Sequence, residues 1–212
     1  IAHVPYGVDL QRFRFGLKPD PAKEFRLVAR ATTIRKGITV TVGGLQRLVR
    51  SERFAKHAGI LRVDFLGEIE QVASLRSAFA EVAGHPRVRL TVGHRHREET
   101  AQMLGQAHAL ILPSVSEGMS LAVVEAAACG AIPIISRYCG QDHFESGRHG
   151  LILAELDDIA IEAALSELLF YPARVLELGR GAKAYACARD WAKFEAGVAQ
   201  IYTRLFAEAS AA

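Results

Sequence analysis

The sequence predicts an α/β fold: a doubly wound, parallel, Rossmann-like six-stranded sheet followed by a helical C-terminal tail. Three observations predict it. Short apolar runs alternate with longer segments of helical period through six units. The run at 25–29 (FRLVA) is a continuous apolar strand of the sort buried on both faces, and the run at 108–112 (HALIL) is apolar up to Pro113. From Asp157 onward strand signals stop and helical patterns run to the end.

Taken in order, residues 1–20 hold a short opening strand (IAHVPYG), the turn Tyr6-Gly7-Val8-Asp9 and a basic-aromatic QRFRF. Lys18-Pro19-Asp20-Pro21 reads as a linker. Strand one is 25–29 (FRLVA), followed by a loop with three cations, ARATTIRKG, and a helix over 38–57. Strand two is 61–67 and an amphipathic helix covers 68–83; strand three is 88–93 and a helix covers 97–107. Strand four, 108–112, ends at Pro113, which cannot continue a central strand. The turn residues Ser114, Ser116, Glu117 and Gly118 lead into a helix over 120–129, which Gly130 and Pro133 stop. Strand five is 132–136, and 149–153 (HGLIL) is a short strand six. Pro172 separates two helices, and Trp191 opens the last as its packing anchor. The expected division is an opening strand and linker at 1–20, a sheet domain at 21–171, and helices packing on it at 172–212.

With 212 residues, half of them apolar, the chain can bury a sizeable core. The net charge is +3 and the Lys and Arg are scattered, so no nucleic-acid partner is expected. Cys129, Cys139 and Cys187 lie far apart with no C-x-x-C pair. That favours a reducing, cytoplasmic compartment over a zinc site or disulfide framework. No apolar run reaches membrane-spanning length and no signal peptide opens the chain. The first residue is Ile1 and IAHVPYG reads as a strand entering a turn, so a piece of a longer polypeptide is expected.

Unusual chemistry concentrates in 113–133, PSVSEGMSLAVVEAAACGAIP. Glu125 stands in a helix almost free of other charge, with seven residues between it and Glu117. A carboxylate in such a helix needs hydrogen-bond donors, or it shifts its pKa and neutralises. The helix is apolar on nearly all sides and is expected to be buried. Its N-terminus follows a Gly-Ser loop, where free amides and the dipole suit an anion. A ligand with a phosphate end and a hydroxyl-rich part would fit. The same residues also admit a structural reading, with Glu117 as a helix-start charge and Glu125 as the partner of a buried Arg. Arg30 and Lys36 follow the first strand, where two cations near a helix N-terminus make a diphosphate cradle or are simply loop charge. Met119, Ser120 and Leu121 offer backbone amides.

Other motifs exclude chemistry. No GKS/T phosphate loop or G-x-S-x-G elbow occurs. The one G-x-G-x-x-[GA] match, 179–184, follows no strand and is not a dinucleotide site. His94 and His96 lack a nearby partner set, so no metal is expected.

The segment PSVSEGMSLAVVEAAACGAIPII resembles the PS-x-x-EG-x-[GS]-x-x-x-x-EA-x-A-x-G-x-PV signature of the retaining GT-B glycosyltransferases of family 4 (group 1). Pro5-Tyr6-Gly7-Val8-Asp9 with Phe13, Arg30…Arg35-Lys36-Gly37, the strand 88–93 and Gly147-Arg148-His149-Gly150-Leu151-Ile152 are similar to further motifs of that family. The resemblance implies the C-terminal half of a GT-B fold, which binds a nucleotide-diphosphate sugar (UDP- or GDP-sugar). It implies that the N-terminal acceptor domain is missing, that no cofactor or metal is needed, and that this piece alone binds donor without useful transfer. By position, Arg30 and Lys36 would hold the diphosphate and Glu117 the hydroxyls of the transferred sugar. The amides of Gly118, Met119, Ser120 and Leu121 would meet sugar and phosphate. Glu125 would take the ribose diol, and Gly93, His94 and Arg95 would border the base. Cys139 stands where the family has glycine, Met119 where Phe is common, and Asp142 is the nearest equivalent of an acid in the loop after strand five. The family's place is polysaccharide or glycolipid assembly, with the full-length enzyme peripheral to the inner face of the membrane. An epimerase or hydrolase on the same fold, or a noncatalytic nucleotide-binding scaffold, are the alternatives.

Overall fold

The computed structural model describes residues 4–140 and 142–210. Six strands, β1 (Glu24–Ala29), β2 (Ile60–Leu66), β3 (Val88–Gly93), β4 (Ala109–Leu112), β5 (Ile132–Ile135) and β6 (Leu151–Ile152), form one sheet. Its order is β3-β2-β1-β4-β5-β6, and every neighbouring pair is parallel. The order reverses between β1 and β4, where Ala29 pairs with Ile111. The loops leaving those two strands therefore open side by side, which is where a doubly wound sheet leaves a crevice.

Every residue of β4 and β5 is buried, in accord with their unbroken apolar sequence. Edge strand β3 instead exposes Arg89 and Val92. Helices α1 (Ile38–Arg50), α3 (Arg76–Gly84) and α6 (Asp158–Phe170) pack on one face with Phe25, Leu27 and Ala29 of β1. Helices α4 (Arg97–Gln106) and α5 (Leu121–Ala128) cover the other, with Val28, Leu110 and Leu112. Helix α7 (Pro172–Cys187) joins both cores, sending Val175 and Leu178 to the first and Ala182 and Tyr185 to the second. The Gly-rich match at 179–184 lies inside α7, where a Cβ on Gly181 would stand 1.8 Å from the Arg148 carbonyl oxygen. Helix α8 (Trp191–Ser210) closes the fold, its Trp191 seated against Gly7.

Three expectations are corrected. The helix over 38–57 breaks at Ser51, which leaves α2 (Glu52–Lys56) as a separate turn. The Ser51 backbone is extended; its hydroxyl donates to Leu48 O at 2.8 Å and accepts from the Phe54 N–H at 3.1 Å. One side chain thus caps two helix ends, the competition that makes serine weak inside helices. The helix over 68–83 begins only with a 3₁₀ turn at Ala73–Leu75, because the preceding residues bond to the loop after β1. The opening strand falls partly on residues 1–3, outside those described; residues 4–7 pair with no strand, and Val8 makes an isolated bridge to Asp190. Among the described residues no helix is long and apolar enough to cross a membrane.

Candidate functional site

The crevice is built by cross-bonding of three loops. Arg30 leaves β1 with its N–H on Ile111 O of β4 at 3.0 Å. Five residues on, Arg35 O accepts the Val115 N–H at 2.9 Å and the Ser114 hydroxyl at 3.0 Å. Gly37 then turns into α1 at φ 81°, so close to β4's end that a Cβ would stand 2.4 Å from Pro113 O. Only glycine meets both demands at no steric cost. On the far side Glu70 ties the loop to β2: its N–H bonds to Thr32 O at 2.8 Å, and its carboxylate accepts the Ile34 N–H at 2.6 Å.

The loop after β5 supports the Glu117 turn from below. Glu117 N–H donates to Tyr138 O at 3.0 Å, and the Ser136 hydroxyl donates to Ser114 O. Cys139 is buried and its thiol donates to Leu112 O at 3.1 Å. Burial pushes that thiol's pKa up. The cysteine therefore serves as a strut.

The expected cradle residues converge, with one addition. Arg35 is the cation that reaches Glu117, Nη1 lying 3.4 Å from Oε1 while donating to Ser116 O at 2.6 Å. Lys36 lies among Arg30, Arg35 and Glu117; burial first, then the two guanidiniums, lower its pKa, and Glu117 opposes them. Three cations and one carboxylate thus share a small volume, an arrangement short of negative charge.

Glu125 lies deeper, in a recess of about 260 Å³ lined by Phe13, Arg30, Leu66, Arg97, Leu121 and other residues. The expectation of a wholly buried helix is corrected here: Leu121 is 41 % exposed and, with Ala122 and Glu125, forms a face of α5 that opens on the recess. Burial of Glu125 raises its pKa, while Arg97, Arg30 and Arg12 pull it down. The Arg expected by the structural reading is Arg97, but it is half exposed and its Nη2 stays 3.8 Å from Oε1, beyond hydrogen-bond range. The carboxylate is attracted and still open to a ligand.

Of the remaining predicted positions, Ser120 is the buried N-cap of α5, Met119 packs half-buried on the second core, and Gly118 closes over Gly140. Gly93 bridges to Gly67, placing the next loop beside that of β2. His94 and Arg95 are exposed there; His94 Nε2 is 3.8 Å from Glu68 Oε1, and Arg95 donates to His94 O at 2.8 Å. These three lie outside the lining of the Glu125 recess. His96 is the N-cap of α4 in a capping box with Glu99. Asp142 is held through its carbonyl, which accepts from Arg189 and from the Tyr185 hydroxyl of α7. Sequence reasoning gave no role to Arg35 beyond its motif, and none to Arg97, which is 28 residues from Glu125 and carries no local signal.

A doubly wound parallel sheet with a cationic crevice at its order reversal, and two carboxylates beside that crevice, place the chain in the α/β class. The sequence profile described as Glycosyl transferases group 1 matches residues 22–170, and the chain belongs to that family. Glycogen synthase of Mycobacterium tuberculosis is 28% identical over 207 residues, covering 95% of this chain and 48% of that protein. Sucrose-phosphate synthase from Thermosynechococcus elongatus superposes with a TM-score of 0.75 at 24% identity, over 97% of this chain and 52% of its own. HepE of Anabaena, solved with UDP and glucose, gives 0.74 at 14% identity, over 94% and 56%. The fold is that of the C-terminal half of a GT-B protein. The chain spans about half the length, or less, of the curated relatives it matches.

Proposed function

We propose that this chain is the donor-binding domain of a retaining glycosyltransferase, taking a nucleotide-diphosphate sugar of the UDP or GDP type and completed by an acceptor-binding domain outside this sequence. The observation that carries the proposal is the crevice itself, where Arg30, Arg35 and Lys36 meet Glu117 and Glu125 across two adjacent strand ends. HepE, of the same fold, has been solved with UDP and glucose.

In this assignment Arg30 and Lys36 take the diphosphate, with the first amides of α5. Glu117 receives hydroxyls of the transferred sugar, Glu125 receives the ribose, and the loop from Gly93 to Arg95 borders the base. As the bond at the sugar C1 breaks, negative charge grows on the leaving diphosphate, where the cations are already placed. At an effective dielectric near 20, one cation at 4 Å is worth roughly 4 kcal/mol before screening. With Arg30 and Lys36 in that position, the assignment calls for no metal ion. Transfer with retention, to a cell-surface polysaccharide or glycolipid acceptor at the cytoplasmic face of the membrane, belongs to the same proposal.

Calorimetric titration with UDP, GDP and ADP tests it. At least one should bind, and Lys36→Ala should weaken that binding about tenfold, or ~1.4 kcal/mol, because Lys36 is partly solvated and its Coulombic share is screened. Equal affinities of parent and variant for all three nucleotides would overturn the cradle assignment. Product analysis with the completed enzyme separates glycosyl transfer from donor isomerisation or hydrolysis.

A further inference from the structure

Arg97 has no role in the assignment above, yet it faces the Glu125 carboxylate across the recess. It opens α4 across the recess from Arg30, with its guanidinium carbon 5.8 Å from the centroid of the Phe13 ring. Its Nη2 stands 3.8 Å from Glu125 Oε1 and its side chain is 56% exposed, so it can move. The charged groups facing Glu125 are Arg97 from α4, Arg30 from the loop after β1 and Arg12 from the segment before β1; Cys129, on its own helix end, is a buried thiol. Arg12 is shared with Asp9 at 4.0 Å and Glu98 at 3.9 Å. Arg30 is assigned to the diphosphate. That leaves Arg97 as the cation available to the carboxylate once a ligand is bound.

We propose that Arg97 is a positioning and specificity residue for the nucleoside end of the donor, holding Glu125 as a carboxylate and selecting a sugar with both ribose hydroxyls. The gap between the two side chains is too long for a direct hydrogen bond. A vicinal diol fits it, one hydroxyl donating to Glu125 and the other accepting from Arg97. A ribose lacking the 2′-hydroxyl leaves one of the two charges without its bridge. The inference rests on the donor-binding proposal.

The test titrates the chain with its best-bound nucleoside diphosphate and with the 2′-deoxy form of the same compound. Arg97→Met keeps the packing on Phe13 and removes the charge; Arg97→Lys restores it. Arg97→Met should bind the ribonucleotide ~10-fold more weakly, the worth of one charge-assisted hydrogen bond, and the deoxynucleotide less than about twofold more weakly. Its binding should also fall away at higher pH than the parent's. Without Arg97 nothing offsets that share of the burial, and Glu125 takes up its proton earlier as the pH falls. Arg97→Lys should return the parent pH profile. If Arg97→Met keeps the parent's ribose preference and pH profile, the inference fails and the donor-binding proposal stands. If the parent chain binds no nucleoside diphosphate, both fail.

Discussion

Replacing Gly140 by alanine should damage stability and binding together. Gly140 lies in the loop after β5 at φ 58°, and a Cβ there would stand 1.5 Å from the Gly118 carbonyl oxygen and 3.1 Å from that of Glu117. Real Cβ atoms keep 3.0 Å or more, so one side of the contact must retreat by about 1.5 Å. The left-handed backbone costs a non-glycine residue roughly 1–2 kcal/mol. Forced overlap with a main-chain carbonyl adds roughly 1–3 kcal/mol. A total of about 3 kcal/mol corresponds, for a chain of this length, to a Tm lower by about 6–12 °C. The retreat also displaces Glu117 and Gly118, whose turn is bonded to Tyr138 O, so nucleotide affinity should fall with the melting temperature.

Gly118→Ala is the matching comparison. Nothing lies within 4 Å of a Cβ at Gly118, and its backbone is not left-handed. Its stability should stay within the change typical of a harmless surface substitution, about 0.5 kcal/mol, or roughly 1–2 °C in Tm. A donor lying against the Gly118 backbone would nonetheless meet that methyl group, so affinity should drop while stability holds. Differential scanning calorimetry and nucleotide titration read the two effects separately. A Gly140→Ala melt within about 2 °C of the parent would refute the packing argument. A Gly118→Ala variant that binds as the parent does would refute the close approach of the ligand.

Three further outcomes follow from single contacts. Burial holds the Glu125 pKa above its ordinary value, so the folded chain binds that proton more tightly than the unfolded chain, and stability from this group is lost as pH rises through the carboxylate range. Glu125→Gln should therefore melt higher than the parent near neutral pH, with little gain at about pH 4, and should bind nucleotide more weakly; a lower melt at neutral pH refutes this. The Asp157 carboxylate accepts the Ala160 N–H at 2.7 Å as the N-cap of α6. Asp157→Ala should cost about 1 kcal/mol, or roughly 2–4 °C, and an unchanged melt would show that the cap contributes nothing. Cys129 and Cys139 are buried, the Cys129 pKa pushed up to about 12, whereas Cys187 is exposed. A thiol reagent at neutral pH should modify one cysteine in the native chain and all three after denaturation, and more than one in the native state would refute the burial.

How much of this was legible depended on whether a feature is local. Strands such as β4 and β5 announce themselves because a segment buried on both faces has no reason to alternate. The Glu117–Glu125 segment stands out because a carboxylate in a nearly uncharged helix needs an explanation. Ser51 was not legible as a break, since its hydroxyl competes with the helix only when Leu48 and Phe54 present their backbone groups. Glu70 reads as part of an amphipathic helix; its actual use, bonding the loop after β1, spans 36 residues. The same limit hid Arg97. Adjacent Arg35 and Lys36 cannot be ranked from sequence either, because Arg35 reaches Glu117 from a loop whose main chain is bonded to Ser114 and Val115, some 80 residues on. Composition likewise cannot say that Leu121, in an apolar helix, faces a crevice instead of the core.

The cradle also shows why its loops are bonded so heavily to one another. Arg30, Arg35 and Lys36 repel, and the Glu117 carboxylate opposes them. Left to itself such a loop would spread its charges into solvent. It is held by main-chain groups of the neighbouring loop: Arg35 O on Val115 N–H and on the Ser114 hydroxyl, Gly37 against Pro113, Ser114 in turn fixed by Ser136. Folding energy from the sheet and its two cores thereby offsets the repulsion before any ligand arrives. The proposed diphosphate would then meet cations already in place, with no loop left to order, which is the condition under which electrostatic stabilisation acts most strongly.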